Sequence, residues 1–182
     1  MKGARTQLSF LAQGVDQIGY VVQDIDKTAE HYWKRLGVGP WHFYTYRKPL
    51  VRYMTRYGKP ADYAMRIAHS LLGPTRIELI QQIAGDTVYS DFIREHGYGV
   101  HHLGVLVTDM GAAIREAEGA GYHVTMEGAG YGADGDGRYA YLDTETELGT
   151  TLELREPPKS RIPPEKVYPS PGHGATTDSF PP

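Results

Sequence analysis

QIGYVVQDI (residues 17–25) and HLGVLVTDM (residues 102–110) align with Gly19 over Gly104, Val22 over Val107 and Asp24 over Asp109. The chain therefore repeats itself, and an internal repeat fixes architecture more firmly than local propensity does. Each copy reads as a strand that gives way to a helix at an aspartate suited to N-capping. These are Asp24 or Asp26 before KTAEHYWKRLG, and Asp109 before MGAAIREAEGAG. In the first helix Ala29, Trp33 and Leu36 have the spacing of one buried face, and Gly37 can adopt the left-handed conformation that ends it. The second helix ends near Gly119 or Gly121.

Behind each helix come segments rich in aromatic and β-branched residues, separated by turn signals: WHFYTYR and DYAMRIAHSLL, then HVTME and RYAYLDTE. They read as antiparallel strands. Each copy closes on a related strand, TRIELIQQ (75–82) and TTLELREP (150–157). The fold class is α+β: two β-α-β-β-β modules, about 13–84 and 98–157, in one domain at residues 1–157. Gln17 and His102 are 85 residues apart but Glu78 and Glu153 only 75, so the first module carries ten extra residues in its middle loops. Eight of the twelve prolines fall between Pro157 and Pro182. Residues 158–182 are read as an extended arm, lying over the domain or a partner subunit, or else as disordered chain.

Composition narrows the function classes. The absence of cysteine excludes disulfides, thiolate metal sites and cysteine nucleophiles. With 19 basic against 22 acidic residues there is no general electrostatic case for a nucleic-acid partner. No apolar stretch approaches the roughly 18 residues of a membrane span, so no membrane partner is expected and the chain reads as soluble and cytoplasmic.

Strand parity locates the chemistry. Side chains alternate between the faces of a strand. Ile18, Tyr20 and Val22 take the helix side of the first strand, and Leu103, Val105 and Val107 take it in the second copy. Gln17 and His102 are thereby left on the other face, while His101 is expected to point with the leucines. In the closing strands Ile77, Leu79, Leu152 and Leu154 pack, and Glu78 and Glu153 point away. Closing the modules face to face would bring Gln17, Glu78, His102 and Glu153 to one point. Such a set suits a divalent cation, with the metal open among Zn, Co, Ni, Mn, Fe and Mg. The alternative for the glutamates is an ion pair with Arg76 or Arg155.

The paired modules, VDQIGYVVQDIDKTAEHYWKRLGVGPW (15–41), HHLGVLVTD and the two (I/L)EL strands together resemble the vicinal oxygen chelate superfamily of glyoxalases, bleomycin resistance proteins and dioxygenases. The resemblance covers residues 13 to about 157, and LGVGPW is most similar to the methylmalonyl-CoA epimerase branch. It implies a cup-shaped mixed sheet around a divalent metal held by Gln17, Glu78, His102 and Glu153. It also implies a homodimer and an epimerase or racemase that moves a proton beside a carbonyl, of an acyl-CoA or an aromatic ketone, with Glu153 as base. Epimerase relatives place histidine at the first ligand position, where Gln17 stands here as in eukaryotic glyoxalase I. They also carry a second glutamate base in the first module. Between Pro40 and Arg76 the only carboxylate is Asp62, the candidate for that role beside the reading of a turn residue after Pro60. A tyrosine of the segment FYTYRKPLVRYMTRYGKPADYAMR is the other candidate. The rival functions are a glyoxalase I-type lyase, an extradiol-type dioxygenase and a non-catalytic small-molecule-binding protein. GYGADG (130–135) matches a dinucleotide-binding pattern but leads into a strand rather than a helix, so it reads as a hairpin or lid. The remaining histidines, His69 among them, read as structural or exposed.

Overall fold

The computed structural model describes residues 8–170. A 3-10 turn (Ser9–Gln13) leads into β1 (Gln17–Val21), α1 (Ile25–Leu36), β2 (Trp41–Tyr46), β3 (Tyr53–Arg56), β4 (Lys59–Pro60), β5 (Ala64–Leu72) and β6 (Thr75–Ala84). Then follow α2 (Val88–His96), β7 (Gly99–Leu106), α3 (Met110–Gly119), β8 (Val124–Tyr131), β9 (Gly137–Leu142), α4 (Glu145–Leu148), β10 (Thr151–Glu156) and β11 (Lys166–Tyr168). All strands join one curled mixed sheet in the order β11-β2-β5-β6-β1-β7-β10-β9-β8-β3-β4. The repeat is visible in that order. β2-β5-β6-β1 is mirrored by β7-β10-β9-β8 about the antiparallel β1–β7 pair, and in each module the first strand lies parallel to the last.

The helices form where the sequence places them. Asp24 caps α1 by accepting the Lys27 amide at 3.0 Å, and Asp109 caps α3 by accepting that of Ala112 at 2.9 Å. Such a cap contributes about 1 kcal/mol. Gly37 ends α1 in the left-handed conformation. The buried side of α1 differs from the expected one: Ile25 and Ala29 are buried but Leu36 is exposed. The unforeseen α2 lies between the modules, held at its start by a reciprocal Thr87–Ser90 capping box.

Apolar residues form three clusters. Ile25, Ala29, Trp41, Phe43, Ile77 and Leu79 pack under α1; Val105, Met110, Ala113, Ala117, Leu152 and Leu154 pack under α3. The third fills the inside of the cup and contains Tyr44, Tyr63, Tyr89, Tyr131, Tyr139 and Tyr141. The ten extra residues of the first module contribute to closing the cup. β3 leaves its own module and pairs with β8 of the other, Tyr53 opposite Ala129.

The proline-rich segment after β10 is anchored at both ends. Ser160 accepts the Ala133 amide of the β8–β9 loop at 2.9 Å. Glu165 receives both the amide and the hydroxyl of Thr45, at 3.0 and 2.8 Å, and Lys166 bonds Asp26 at 2.7 Å before β11 adds to the edge of β2. Residues 160–165 thus strap the second module to the first. The part of the expected arm from 171 to 182 lies outside the described residues. Replacing Glu165 with alanine removes two bonds at one anchor. Limited trypsin treatment is expected to cut that variant faster than the parent at Lys159, Arg161 or Lys166, as followed by mass spectrometry, with the cup itself left intact.

Candidate metal centre

β1 and β7 place two glycines against the polar face. A Cβ on Gly19 would lie 1.9 Å from His102 Cε1, and one on Gly104 would lie 2.9 Å from Gln17 Cβ and 3.3 Å from Glu153 Oε2. Only glycine leaves room for these side chains to meet. Gln17 and His102 are fully buried, and Glu78 and Glu153 nearly so. Gln17 Nε2 lies 3.2 Å from Glu78 Oε2, 2.9 Å from Glu153 Oε2 and 3.3 Å from His102 Nε2. His102 Nε2 lies 3.4 Å from Glu78 Oε2 and 3.1 Å from Glu153 Oε2. The four residues singled out in the sequence thus come together, and among the described residues Glu78, His102 and Glu153 form the one group of acidic and histidine side chains that could hold a metal ion.

The donor set fits a divalent cation on a second observation as well. Gln17 Oε1 is buried without a hydrogen-bond partner. Turning the amide over would carry that oxygen to the point where the carboxylates and His102 Nε2 converge. Two glutamates, an imidazole nitrogen and an amide oxygen then match the mixed N/O ligation of Zn, Co, Ni, Mn or Fe.

His101 departs from the expected alternation, and the cause is a β-bulge. Gly19 faces His102 while Tyr20 faces Val100, so His101 is the extra residue in the ladder. It turns inward beside His102 instead of joining the leucines. Its ring packs against Tyr89, Phe92 and Tyr141 at centroid distances of 5.1, 5.1 and 5.6 Å, and its Nδ1 lies 3.1 Å from His102 Nδ1. Burial, reinforced by His102, holds His101 neutral. With His102 Nε2 turned to the carboxylates, His102 Nδ1–H donates to His101 Nδ1. That bond fixes the tautomer and ring orientation a ligating histidine needs.

Sequence reasoning passed over His69. It stands opposite Glu78 in the β5–β6 hairpin, and its Nε2 lies 2.7 Å from Glu78 Oε1. The Gly73–Pro74 turn was the signal: counting outward from it pairs the two residues. Burial pushes His69 down to about 4 against the pull of Glu78, so it is a neutral donor to that carboxylate. Burial would raise Glu78, but hydrogen bonds from His102 and His69 outweigh it and hold Glu78 well below the usual carboxylate range. For His102, burial acts downward, and Glu153 and then Glu78 overcome it, raising the imidazole to about 9.

The structure does not bring Asp62 to this site. Its side chain is 76% exposed and faces Lys48 at 3.9 Å, because the chain there runs outside the cup between β4 and β5. Of the tyrosines in the same segment, Tyr44 and Tyr46 line the cavity above the cluster. Tyr63 is bound to Tyr139 at 3.0 Å, and Tyr57 is exposed. Burial raises Tyr46 strongly and Tyr63 to about 12, so these hydroxyls stay protonated and serve as donors.

The sequence profile of the Glyoxalase/Bleomycin resistance protein/Dioxygenase superfamily matches residues 16–141, and the chain belongs to that superfamily. Methylmalonyl-CoA epimerase from Mycobacterium tuberculosis is similar in structure, with a TM-score of 0.59 and 22% identity over 80% of this chain and 88% of that one. A Streptomyces coelicolor methylmalonyl-CoA epimerase variant in complex with 2-nitronate-propionyl-CoA has a TM-score of 0.60 and 19% identity over 82% and 97%. A hypothetical protein from Bacillus halodurans C-125 has a TM-score of 0.57 and 21% identity over 81% and 96%. At these identities the likeness is one of fold. No curated protein matches the chain in sequence.

Two outcomes are expected. Below a pKa of about 9 the metal-free cluster carries a proton on His102 that ligation must displace. Calorimetric titration with Zn or Co at pH 7.5, in two buffers of different ionisation enthalpy, should register close to one proton released per metal. His101→Phe retains the aromatic packing but removes the acceptor for His102 Nδ1–H, and should weaken metal binding by about 10- to 100-fold in the same titration.

Proposed function

We propose that the chain is a divalent-metal-dependent epimerase or racemase that removes and returns a proton on a carbon next to a carbonyl. The observation that carries this reading is the meeting of Glu78 and Glu153, one from each module, on one point with Gln17 and His102 between them. A cation held there supplies Lewis-acid polarisation of a substrate carbonyl, which makes the neighbouring C–H acidic.

Glu153 is assigned as the base. Arg155 Nε stands 3.8 Å from its Oε2 and helps to orient the carboxylate. Glu78 approaches the same point from the opposite module and is fixed from behind by His69. A proton can therefore leave toward one glutamate and return from the side of the other, which inverts the carbon. In this reading residues 1–157 are the catalytic unit, residues 158–170 cover it, and the chain works as a soluble, cytoplasmic homodimer on a small carbonyl substrate such as an acyl-CoA or aromatic ketone. The structural likeness to methylmalonyl-CoA epimerases supports the reaction class.

A glyoxalase I-type lyase is the second reading, favoured by the Gln17-Glu78-His102-Glu153 donor set. Deuterium uptake from heavy water into chiral α-substituted thioesters and ketones separates the two. Exchange with racemisation is expected on metal loading, and Glu153→Gln should lower it by about 100- to 10,000-fold while the fold is retained. Absence of exchange with Zn, Co, Ni or Mn overturns the epimerase reading, and turnover confined to a glutathione hemithioacetal would establish the lyase.

A further inference from the structure

One oxygen of Glu153 faces two neighbours at once. Its Oε2 lies 3.1 Å from His102 Nε2, where the cluster converges, and 3.8 Å from Nε of Arg155 further along β10. A charge-assisted N–H···O bond measures about 2.7–2.9 Å, so the guanidinium stops short of one. Arg155 is bound instead by Asp16 of the other module, whose Oδ2 accepts from Nη1 at 2.5 Å.

The backbone fixes both members of that pair. The Asp16 amide donates to the Gly104 carbonyl at 3.0 Å and the Asp16 carbonyl accepts from the Arg76 amide at 2.9 Å, which ties Asp16 between β7 and β6. The stem of Arg155 passes over Gly104, where a Cβ would lie 2.9 Å from Arg155 Cδ. The stem is therefore confined, while the head has two carboxylates within reach. Asp16 Oδ1 is buried and makes no hydrogen bond, so among the described residues Arg155 is the one group that hydrogen-bonds to the Asp16 carboxylate. Arg155 is itself buried. A guanidinium keeps its proton, and a buried cation is costly without a carboxylate beside it. The carboxylates paired with it among the described residues are those of Asp16 and Glu153. Removing the first leaves the second to take the charge.

We propose that Asp16 is a positioning residue for Glu153. By taking up Arg155 it holds the guanidinium at a distance that orients Glu153 without capping Oε2, and so leaves that oxygen open to a cation and to the proton of the reacting carbon. This rests on the reading of Glu153 as metal ligand and base.

The test is a cycle of Asp16→Ala, Arg155→Met and the double variant, with Co binding followed by calorimetry and by the visible absorption of the bound ion. Asp16→Ala should weaken Co binding by about 10- to 100-fold, because the ion must then displace Arg155 from Glu153. Arg155→Met removes the competitor and should cost less, and the double variant should bind Co more tightly than Asp16→Ala does. A pair that only ties the modules together would make Arg155→Met as damaging as Asp16→Ala and give no recovery in the double variant. Either of those results overturns the inference. Should Asp16→Ala not fold, as judged by circular dichroism, Asp16→Asn takes its place, since it keeps an acceptor oxygen but not the charge. A crystal structure of the metal-free single variant should show Arg155 hydrogen-bonded to Glu153 Oε2, and Arg155 standing apart overturns the inference. A parent that binds no Co overturns the metal reading, and the crystal structure then decides alone whether Asp16 keeps Arg155 off Glu153. Absence of deuterium exchange in the Co-loaded parent overturns the proton-transfer reading and leaves the cycle to decide the role of Asp16.

Discussion

The antiparallel pairing of β1 with β7 is the constraint on which the rest of the structure depends. It sets Gly19 against His102 and Gly104 against Gln17, so that two strands approach with no side chain in the space that the four polar residues need. A register change of one residue would turn those polar groups into the apolar layers beneath α1 and α3. Burying carboxylates costs several kcal/mol each unless they are paired. Here each glutamate meets His102 and Gln17, and Glu78 meets His69 as well. The cluster is dense enough in donors to exist without a cation, yet it leaves the Gln17 carbonyl unsatisfied.

Inside the cup, tyrosines do two jobs. Their rings make an apolar wall, and their hydroxyls find one another: Tyr89 with Tyr141 at 2.6 Å and Tyr63 with Tyr139 at 3.0 Å. Burial pushes Tyr89, Tyr139 and Tyr141 well above the ordinary phenol range, so none contributes a negative charge. The interior is thus largely buried but not purely apolar. In such surroundings the influence of a few fixed charges is larger than it would be in water.

Much of this was legible in the sequence because it rests on period and repetition. The overlay of residues 17–25 on 102–110 yields the module order, the two aspartate caps and the parity that brings Gln17, Glu78, His102 and Glu153 to one face. What escaped depends on partners distant in the chain. The bulge that turns His101 inward belongs to the pairing of β1 with β7, and alternation along β7 alone cannot reveal it. His69 acquires its role from the hairpin opposite Glu78. Asp62 is a candidate in the sequence as the only carboxylate between Pro40 and Arg76, whereas the fold leaves its side chain exposed beside Lys48.

The departure of β3 from its own module has a consequence for how the chain reaches this state. Its partner β8 comes from the far copy, and β11 comes back from beyond the second copy to pair with β2. Neither half can complete its sheet until the other has been made, so the repeat no longer consists of two self-sufficient units. Pairings of such wide sequence separation require large loops to close before they return any free energy, which slows folding relative to a chain of local contacts. The exchange makes the cup a late, cooperative product of the whole chain. Gln17, Glu78, His102 and Glu153, drawn from both copies, come together only when that product forms.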